Sequence, residues 1–329
     1  MRARRWTVGV DFGGTTIKVG CVTEPGTVAR KVVLSTRDYA TPSAFVEGLH
    51  GAIKRLAAER GLATTHLSGV GVGAPGLVDG ERGVIHRLVN VPGGWRRIPL
   101  RERLEQRLRR PCAVDNDANM MALGEWRFGA GRGTRHSVYL TLGTGVGGGL
   151  VVNGRLVRGA SGSAGELGHM VIRPNGPRCA CGSRGCLEAL VGTSAIIRRA
   201  RQALRTGRAR ILAGLAKRHD GPLSPELVSR AAQAGDRAAR RIWEDVGDEL
   251  GLGLSNLVNL LNPERIVIGG GMAKAWPHFA ARLVTTIRRC AFDVPAKAVK
   301  VVRAQLGDDA GIVGSAMLVR EQTTTTWPR

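Results

Sequence analysis

The chain has 329 residues, 43% of them hydrophobic and 47 of them glycine, enough to bury a sizeable core divided between two domains. Its apolar runs, such as "RIVIGGGM", are too short to cross a bilayer, and "MRARRW" leads into the strand-like "TVGVDFGG" instead of a signal peptide's apolar stretch, so a cytoplasmic protein without a membrane partner is expected. The net charge of +23 suits polyanions, but the 42 arginines and 7 lysines are spread along helical segments such as "RERLEQRLRR", away from the few aromatics; no nucleic acid is expected as partner, whereas a phosphorylated substrate fits the same field.

In chain order, "RWTVGVDFGG", "IKVGCVT" and "VARKVVLST" read as short strands rich in β-branched residues, separated by glycine and proline turns. "TPSAFVEGLHGAIKRLAAERG" has proline near its start, apolar residues at helical spacing and Gly61 at its end, which predicts a helix. "LSGVGVGAPG" and "VIHRLV" return to strands. A helix is expected from about Pro99 to Arg110, and a short strand at "CAVDN" leads into a helix opening at Asp117. "HSVYLTLGTG", "GGGLVVNG" and "HMVIR" begin a second set of strands, and Leu187 to about Leu261 is mainly helical. Strand "RIVIGGG", a helix from Ala273 to about Cys290, strand "VKVVRAQ" and a helix after "GDDAG" complete the pattern.

Both halves open with a strand, a Gly-Thr turn and another strand, "VGVDFGGTTIKVG" and "VYLTLGTGVGGGLVV". That symmetry predicts two related α/β halves with a cleft between them. The expected boundaries are 1–129 for a smaller N-terminal domain and 130–309 for a larger one, with a helix at about 310–322 packing back on the first. Residues 323–329, "TTTWPR" and its neighbour, carry no pattern and are expected to be a disordered tail.

Three glycine-rich turns follow strands: "DFGGTT" at 11–16, "LGTGVGGG" at 142–149 and "IGGG" at 268–271. Glycine lets backbone N–H groups approach a phosphate, and a threonine hydroxyl adds a donor. Gly143, Gly145 and Gly148 satisfy G-x-G-x-x-G, but a dinucleotide fold needs a helix after that turn and "GGGLVVNG" continues as a strand. Alone, each turn reads as an ordinary hairpin; two paired strand–turn–strand units with a third glycine turn ask for more.

This arrangement resembles the actin-like ATPase (ribonuclease H-like) and sugar kinase superfamily. The resemblance implies a two-domain α/β fold with its active site in the interdomain cleft, ATP held by two hairpin loops, and an aspartate that binds Mg²⁺ through water. Carried over residue by residue, Asp11, Gly13, Gly14, Thr15, Thr16 and Lys18 belong to the first phosphate loop and its flanks, Gly143, Thr144 and Gly145 form the second, and Gly269, Gly270 and Gly271 lie near the nucleoside. Asp11 has a plainer alternative, since a carboxylate also caps turns.

In "VDNDANMMALGEW", Asp115, Asn116, Asp117 and Asn119 stand between a strand and an amphipathic helix. One of them is expected to cap the helix, but four in five positions exceed what capping needs. At a strand's C-terminal end they face a cleft, where phosphoryl transfer to an alcohol needs a carboxylate to take the hydroxyl proton. With "ELGH" (166–169) and "CACGSRGCLE" (179–188), the segment is similar to the ROK family of bacterial sugar kinases and repressors, from about Thr7 to Met317. The similarity implies that Asp117 is the general base and that Asn116, Glu166, His169 and Glu188 hydrogen-bond sugar hydroxyls. It implies too that Gly76 of "GAPG" lines the same pocket, that Asn90 of "NVPGGWRRIPL" is a further contact, and that the protein is a homodimer or homotetramer. Sugar hydroxyls each donate and accept, which suits carboxylates and amides held in fixed directions.

His169, Cys179, Cys181 and Cys186 follow the spacing H-x9-C-x-C-x4-C. Three thiolates and an imidazole suit tetrahedral Zn²⁺ with no open position, so a structural ion is expected. A disulfide leaves one cysteine over, and a thioredoxin-type site needs C-x-x-C opening a helix. Gly182 and Gly185 let the loop, 169–186, turn tightly, and His169 can offer its second ring nitrogen to the sugar side. Cys21, Cys112 and Cys290 stand alone and read as small buried hydrophobes.

The expected activity is therefore ATP-dependent phosphorylation of a hexose, glucose foremost, with ATP, Mg²⁺ and structural Zn²⁺. Polyphosphate as donor stays open, as in related glucokinases and glucomannokinases, which usually lack the cysteine loop. So do mannose, fructose, N-acetylglucosamine and N-acetylmannosamine, because the recognition carboxylates are shared. A sugar-sensing ROK repressor, of another class, is disfavoured because the first phosphate loop starts at residue 11, leaving no room for a helix-turn-helix domain.

Overall fold

The computed structural model describes residues 6–23, 26–88 and 91–323. By internal contacts the chain forms two compact units: one of residues up to Thr134, Gly149–Gly165 and Gln305 onward, the other of Arg135–Gly148 and Glu166–Ala304. Each is described by itself.

The first unit opens with β1 (Trp6–Phe12), β2 (Thr16–Thr23) and β3 (Thr27–Ser35), an antiparallel meander in which Val10, Val19 and Val32 share one register row. Helix α1 (Pro42–Glu59) starts where the sequence predicts: Thr41 accepts the Ala44 N–H and Pro42 stands at the first position, where no donor is needed. It is followed by Gly61 at φ 59°, a conformation glycine adopts without strain. Strand β4 (Leu67–Ala74) lies parallel to β1. A small antiparallel sheet of β5 (Leu77–Asp79), β6 (Val84–Arg87) and β7 (Arg96–Ile98) interrupts the pattern. Helix α2 (Leu100–Leu108), strand β8 (Cys112–Asn116), parallel to β4, and helix α3 (Asp117–Phe128) complete the main sheet in the order β3-β2-β1-β4-β8.

The second half repeats the plan. Strands β9 (Ser137–Leu142), β10 (Val146–Val152) and β11 (Arg155–Leu156) precede helices α4 (Leu187–Val191), α5 (Thr193–Arg205), α6 (Arg210–Lys217), α7 (Pro225–Gln233) and α8 (Arg237–Leu261). Then come β12 (Arg265–Gly269), α9 (Trp276–Cys290), α10 (Asp293–Ala298), β13 (Lys300–Arg303) and α11 (Ala310–Thr323). The sheet order is β11-β10-β9-β12-β13, with β12 parallel to both neighbours. Third, second, first, fourth, fifth: the two main sheets have one topology.

In the first unit Phe12 stacks on Phe45 at 4.7 Å and Trp95 closes the cluster at 5.7 Å from both, each fully buried ring contributing about 1.5–3 kcal/mol. In the second, Trp243 of α8 stacks on Phe279 of α9 at 6.1 Å. Helix α11 lies against the first sheet with almost no side chain between them. A methyl group at Gly9 would overlap the Ile312 carbonyl, and one at Gly71 the Ser315 carbonyl. Buried Glu125 of α3 then fixes the approach to α11, because its carboxylate accepts the N–H groups of Ala130 (2.8 Å), Gln305 (3.0 Å) and Leu306 (2.6 Å).

Three local expectations are corrected. "HMVIR" is no strand: Leu167–His169 form a 3₁₀ turn and Val171 makes one bridge to Cys186, because the chain must double back to bring His169 to the cysteines. Gly271–Ala275 is also a 3₁₀ turn, and α9 begins at Trp276, where Pro277 can occupy the first turn without a donor. Cys290 is exposed, at the C-terminal end of α9, while Cys21 and Cys112 are buried as expected. The expected disordered tail overlaps residues 324–329, which lie outside the described residues.

The close packing of α11 makes a prediction. Gly71→Ala lowers stability by about 3 kcal/mol through the forced overlap, while Gly51→Ala, on an open face of α1 with no atom within 4 Å, raises it by about 0.5–1 kcal/mol. Urea unfolding of the two variants checks this; equal effects would contradict it.

Candidate active site and metal centre

The turn from β8 into α3 carries the "DNDAN" residues. Asn116 is the N-cap, its Oδ1 accepting the N–H groups of Ala118 (2.9 Å) and Asn119 (3.2 Å). Its Nδ2 donates to the carbonyl of Gly76 (3.1 Å), which sits in a turn at φ 94°. Asp117 is the first helical residue, with Oδ1 accepting the Ala118 N–H at 2.9 Å. Behind them Asp115 is buried; Oδ1 accepts from the Asn116 N–H (2.7 Å) and from Asn119 Nδ2 (3.1 Å), and Oδ2 pairs with Arg158 Nε at 2.7 Å. Gly76, Asn116 and Asp117 are thus brought together in the first unit. Asn90 lies outside the described residues.

The first glycine turn joins β1 to β2. Gly13 N–H donates to Thr16 O (2.9 Å), and Thr36 braces the turn by donating Oγ1 to Gly13 O (2.8 Å) and N–H to Thr15 O (3.0 Å). Gly14, Thr15 and Thr16 are exposed. Asp11 and Lys18 face each other in register across the hairpin, Oδ2 to Nζ 3.5 Å. Burial holds the Asp11 carboxyl above its ordinary value, against the opposing pull of the Lys18 ammonium. A half-buried carboxylate beside a phosphate-sized turn suits Mg²⁺, which keeps most of its waters and takes one or two carboxylates with substrate phosphates.

In the second unit, the β9–β10 turn closes with Gly143 N–H to Gly145 O (3.0 Å), and Thr193 at the start of α5 donates both Oγ1 (2.9 Å) and N–H (3.2 Å) to Gly143 O. Gly269 ends β12. Gly270, at φ 83°, passes so close to the Leu142 backbone that a side chain there would overlap it, so the second and third glycine turns lie together. Glu188 of α4 reaches the second turn: Oε2 accepts the Val146 N–H at 3.0 Å.

The same glutamate borders the cysteine cluster, its Oε1 3.7 Å from Cys179 Sγ. His169, Cys179, Cys181 and Cys186 bring one ligand atom each to within 4.8 Å of one another. Cys179 Sγ lies 3.6 Å from His169 Nδ1, and Cys181 Sγ lies 3.7 Å from Cys186 Sγ. A tetrahedral ion with bonds of about 2.3 Å to sulfur and about 2.0 Å to nitrogen has edges of about 3.8 and 3.5 Å, so the residues fit. His169 turns its other nitrogen, Nε2, toward Glu166 Oε2 at 3.8 Å. Burial first, and the adjacent thiols next, push the Cys179 thiol up to about 12, and burial also raises Cys186. The Ser183 N–H pulls exposed Cys181 down. Buried thiols this close resist ionisation until a cation takes the place of their protons. Arg173, within the loop, pairs with buried Glu249 of α8 at 2.6 Å and ties the loop to the unit's core.

Arg158, Thr36 and Thr193 were not among the expected site residues. Thr193 opens a helix after "VG", a signal that could have been read; Arg158 is one arginine among 42 and carries none.

Two sheets of one strand order, each opening with a hairpin whose turn is glycine-rich, make this the actin-like ATPase fold. Within it the chain belongs to the ROK family, whose profile matches residues 7–322. It is 39% identical over 323 residues to the glucokinase of Thermotoga maritima, covering 96% of this chain and 97% of that one. To the glucokinase of Halalkalibacterium halodurans it is 38% identical over 319 residues, 97% and 96% of the two chains. A crystal structure of a ROK family glucokinase from Streptomyces griseus, in complex with glucose and AMPPNP, superposes with a TM-score of 0.82 at 36% identity, over 96% of this chain and 99% of that one. Among the described residues no helix is long and apolar enough to cross a membrane.

The cluster geometry predicts that the purified protein carries one thiophilic divalent ion per chain and that Cys181→Ser loses it. Elemental analysis by mass spectrometry checks this. Wild-type protein without a stoichiometric ion would contradict the assignment.

Proposed function

We propose that this chain is a glucokinase, transferring the γ-phosphoryl group of ATP to the 6-hydroxyl of glucose. The observation that carries the reading is Asp117: a carboxylate at the junction of strand and helix, oriented by the Ala118 N–H and flanked by Asn116, whose amide is fixed at both ends. The two relatives at 38% and 39% identity, both glucokinases, support glucose as the acceptor.

In this reading Asn116, Glu166, His169 and Glu188 hydrogen-bond the sugar hydroxyls, with Gly76 shaping the pocket beside Asn116 and Asn90 a further contact. The Asp117 carboxylate takes the proton of the 6-hydroxyl as the oxygen attacks the γ-phosphorus. The O6–P bond forms, the bond from that phosphorus to the β–γ bridging oxygen breaks, and ADP departs. Gly13, Gly14, Thr15 and Thr16 are assigned to the first phosphate loop, Gly143, Thr144 and Gly145 to the second, and Gly269, Gly270 and Gly271 to the border of the nucleoside. Asp11 would hold Mg²⁺ through water beside Lys18, and that ion supplies charge neutralisation on the phosphates. Zn²⁺ is the ion we assign to His169, Cys179, Cys181 and Cys186; with four protein ligands its role is structural.

A coupled assay with glucose and ATP tests the reading, and replacing ATP by polyphosphate, or glucose by mannose, fructose and the N-acetylated sugars, tests its details. Asp117→Asn is expected to lower kcat by about 10³-fold while calorimetry still detects glucose binding. Substantial turnover in that variant would remove Asp117 as base, and wild-type turnover on another sugar alone would replace glucose.

A further inference from the structure

Arg158 has no part in the mechanism above, yet it is paired with a carboxylate only two residues from the proposed base. We infer that Arg158 is a positioning residue, whose ion pair with buried Asp115 holds the base-bearing turn in its working geometry. The inference rests on the reading of Asp117 as general base.

The Asp115 side chain is 1% exposed, whereas that of Arg158 is 31% exposed and reaches in from the segment after β11. A carboxylate this deeply buried needs a cation and hydrogen-bond donors around it. The donors are the Asn116 N–H at 2.7 Å and Asn119 Nδ2 at 3.1 Å, both on Oδ1, and the cation is Arg158 on Oδ2 at 2.7 Å. Asp115 therefore accepts from both sides of Asp117 in sequence, gripping the last residue of β8 and the first turn of α3 together. Gly80 packs against the pair so closely that a methyl group there would lie 3.0 Å from Asp115 Cγ. Without the guanidinium the buried Asp115 side chain loses its cationic partner, and its grip on the two donors of the turn loosens. That disturbs the donors that define the turn, and a displacement of about 1 Å at a base is costly to the rate.

The segment that carries Arg158 does not depend on the pair. Val157 N–H donates to Leu150 O at 2.8 Å and Ala164 N–H to Arg158 O at 2.9 Å. Loss of the guanidinium should thus act on the turn and so on kcat, rather than on the course of the loop.

The test compares wild type, Arg158→Gln and the doubly neutral Asp115→Asn/Arg158→Gln by steady-state kinetics with glucose and ATP, alongside thermal unfolding. Arg158→Gln is expected to lower kcat at least about tenfold with both KM values changed less than about threefold, and the double variant, with no unpaired charge left buried, to recover both stability and part of kcat. A folded Arg158→Gln with wild-type kcat overturns the inference, as does a double variant that regains stability but no rate, since the pair would then be structural only. An Arg158→Gln that fails to fold leaves the decision to the double variant, where stability and rate recovered together support the inference. Wild-type protein inactive on every hexose would instead overturn the kinase reading and, with it, the role given to Arg158.

Discussion

Four ligand atoms held within 4.8 Å of one another are the constraint on which the second unit's chemistry depends. The residues between His169 and Cys186 have little regular structure and cannot fold around a core of their own. Convergence of three thiols and an imidazole gives that segment one geometry, and two side chains are carried with it. His169 presents Nδ1 to the thiols and Nε2 to Glu166, while Cys179 borders Glu188, which in turn holds the Val146 N–H at the second glycine turn. A metal bound there would act at a distance from the reaction, by fixing the directions of the groups proposed to face the sugar.

In the first unit the corresponding work is done by side-chain hydrogen bonds. The turn that carries Asp117, the proposed base, is held by side-chain amides and by one buried carboxylate, and the sheet is covered by α11 at a distance only glycine permits. Glu125 plays a comparable part on the far end of α3, a buried carboxylate that accepts the Ala130 N–H and holds the start of the 305–309 segment through the N–H groups of Gln305 and Leu306. In both cases a charge is buried only where N–H or guanidinium donors surround it, and the backbone gains a fixed position in return.

The chemistry-bearing residues are legible in the sequence where a rare residue type recurs at short spacing. Cysteine at 179, 181 and 186 after His169, and four Asp or Asn side chains over 115–119, have few physical uses apart from ligation, capping or catalysis. The doubled plan is legible too, because strand–Gly-Thr–strand occurs twice and glycine turns force hairpins. The failures have equally physical causes. "HMVIR" has the composition of a strand, but the cluster's need for His169 bends it into a 3₁₀ turn. Strand β6 is read from "VIHRLV", but its partners β5 and β7 are three-residue strands that carry too few side chains to show an alternation. Arg158 is invisible because its meaning is one long-range contact, and a chain with 42 arginines offers no means of choosing it.

The central claim is that the cysteine cluster exists to hold in register the side chains proposed to face the sugar. Titrating glucose into the protein by calorimetry, at successive stages of metal removal by a chelator and after metal is restored, tests it most directly. The account predicts that the fraction of chains binding glucose falls in step with metal content and returns with it. A metal-free protein that remains folded and binds glucose with undiminished affinity would contradict it.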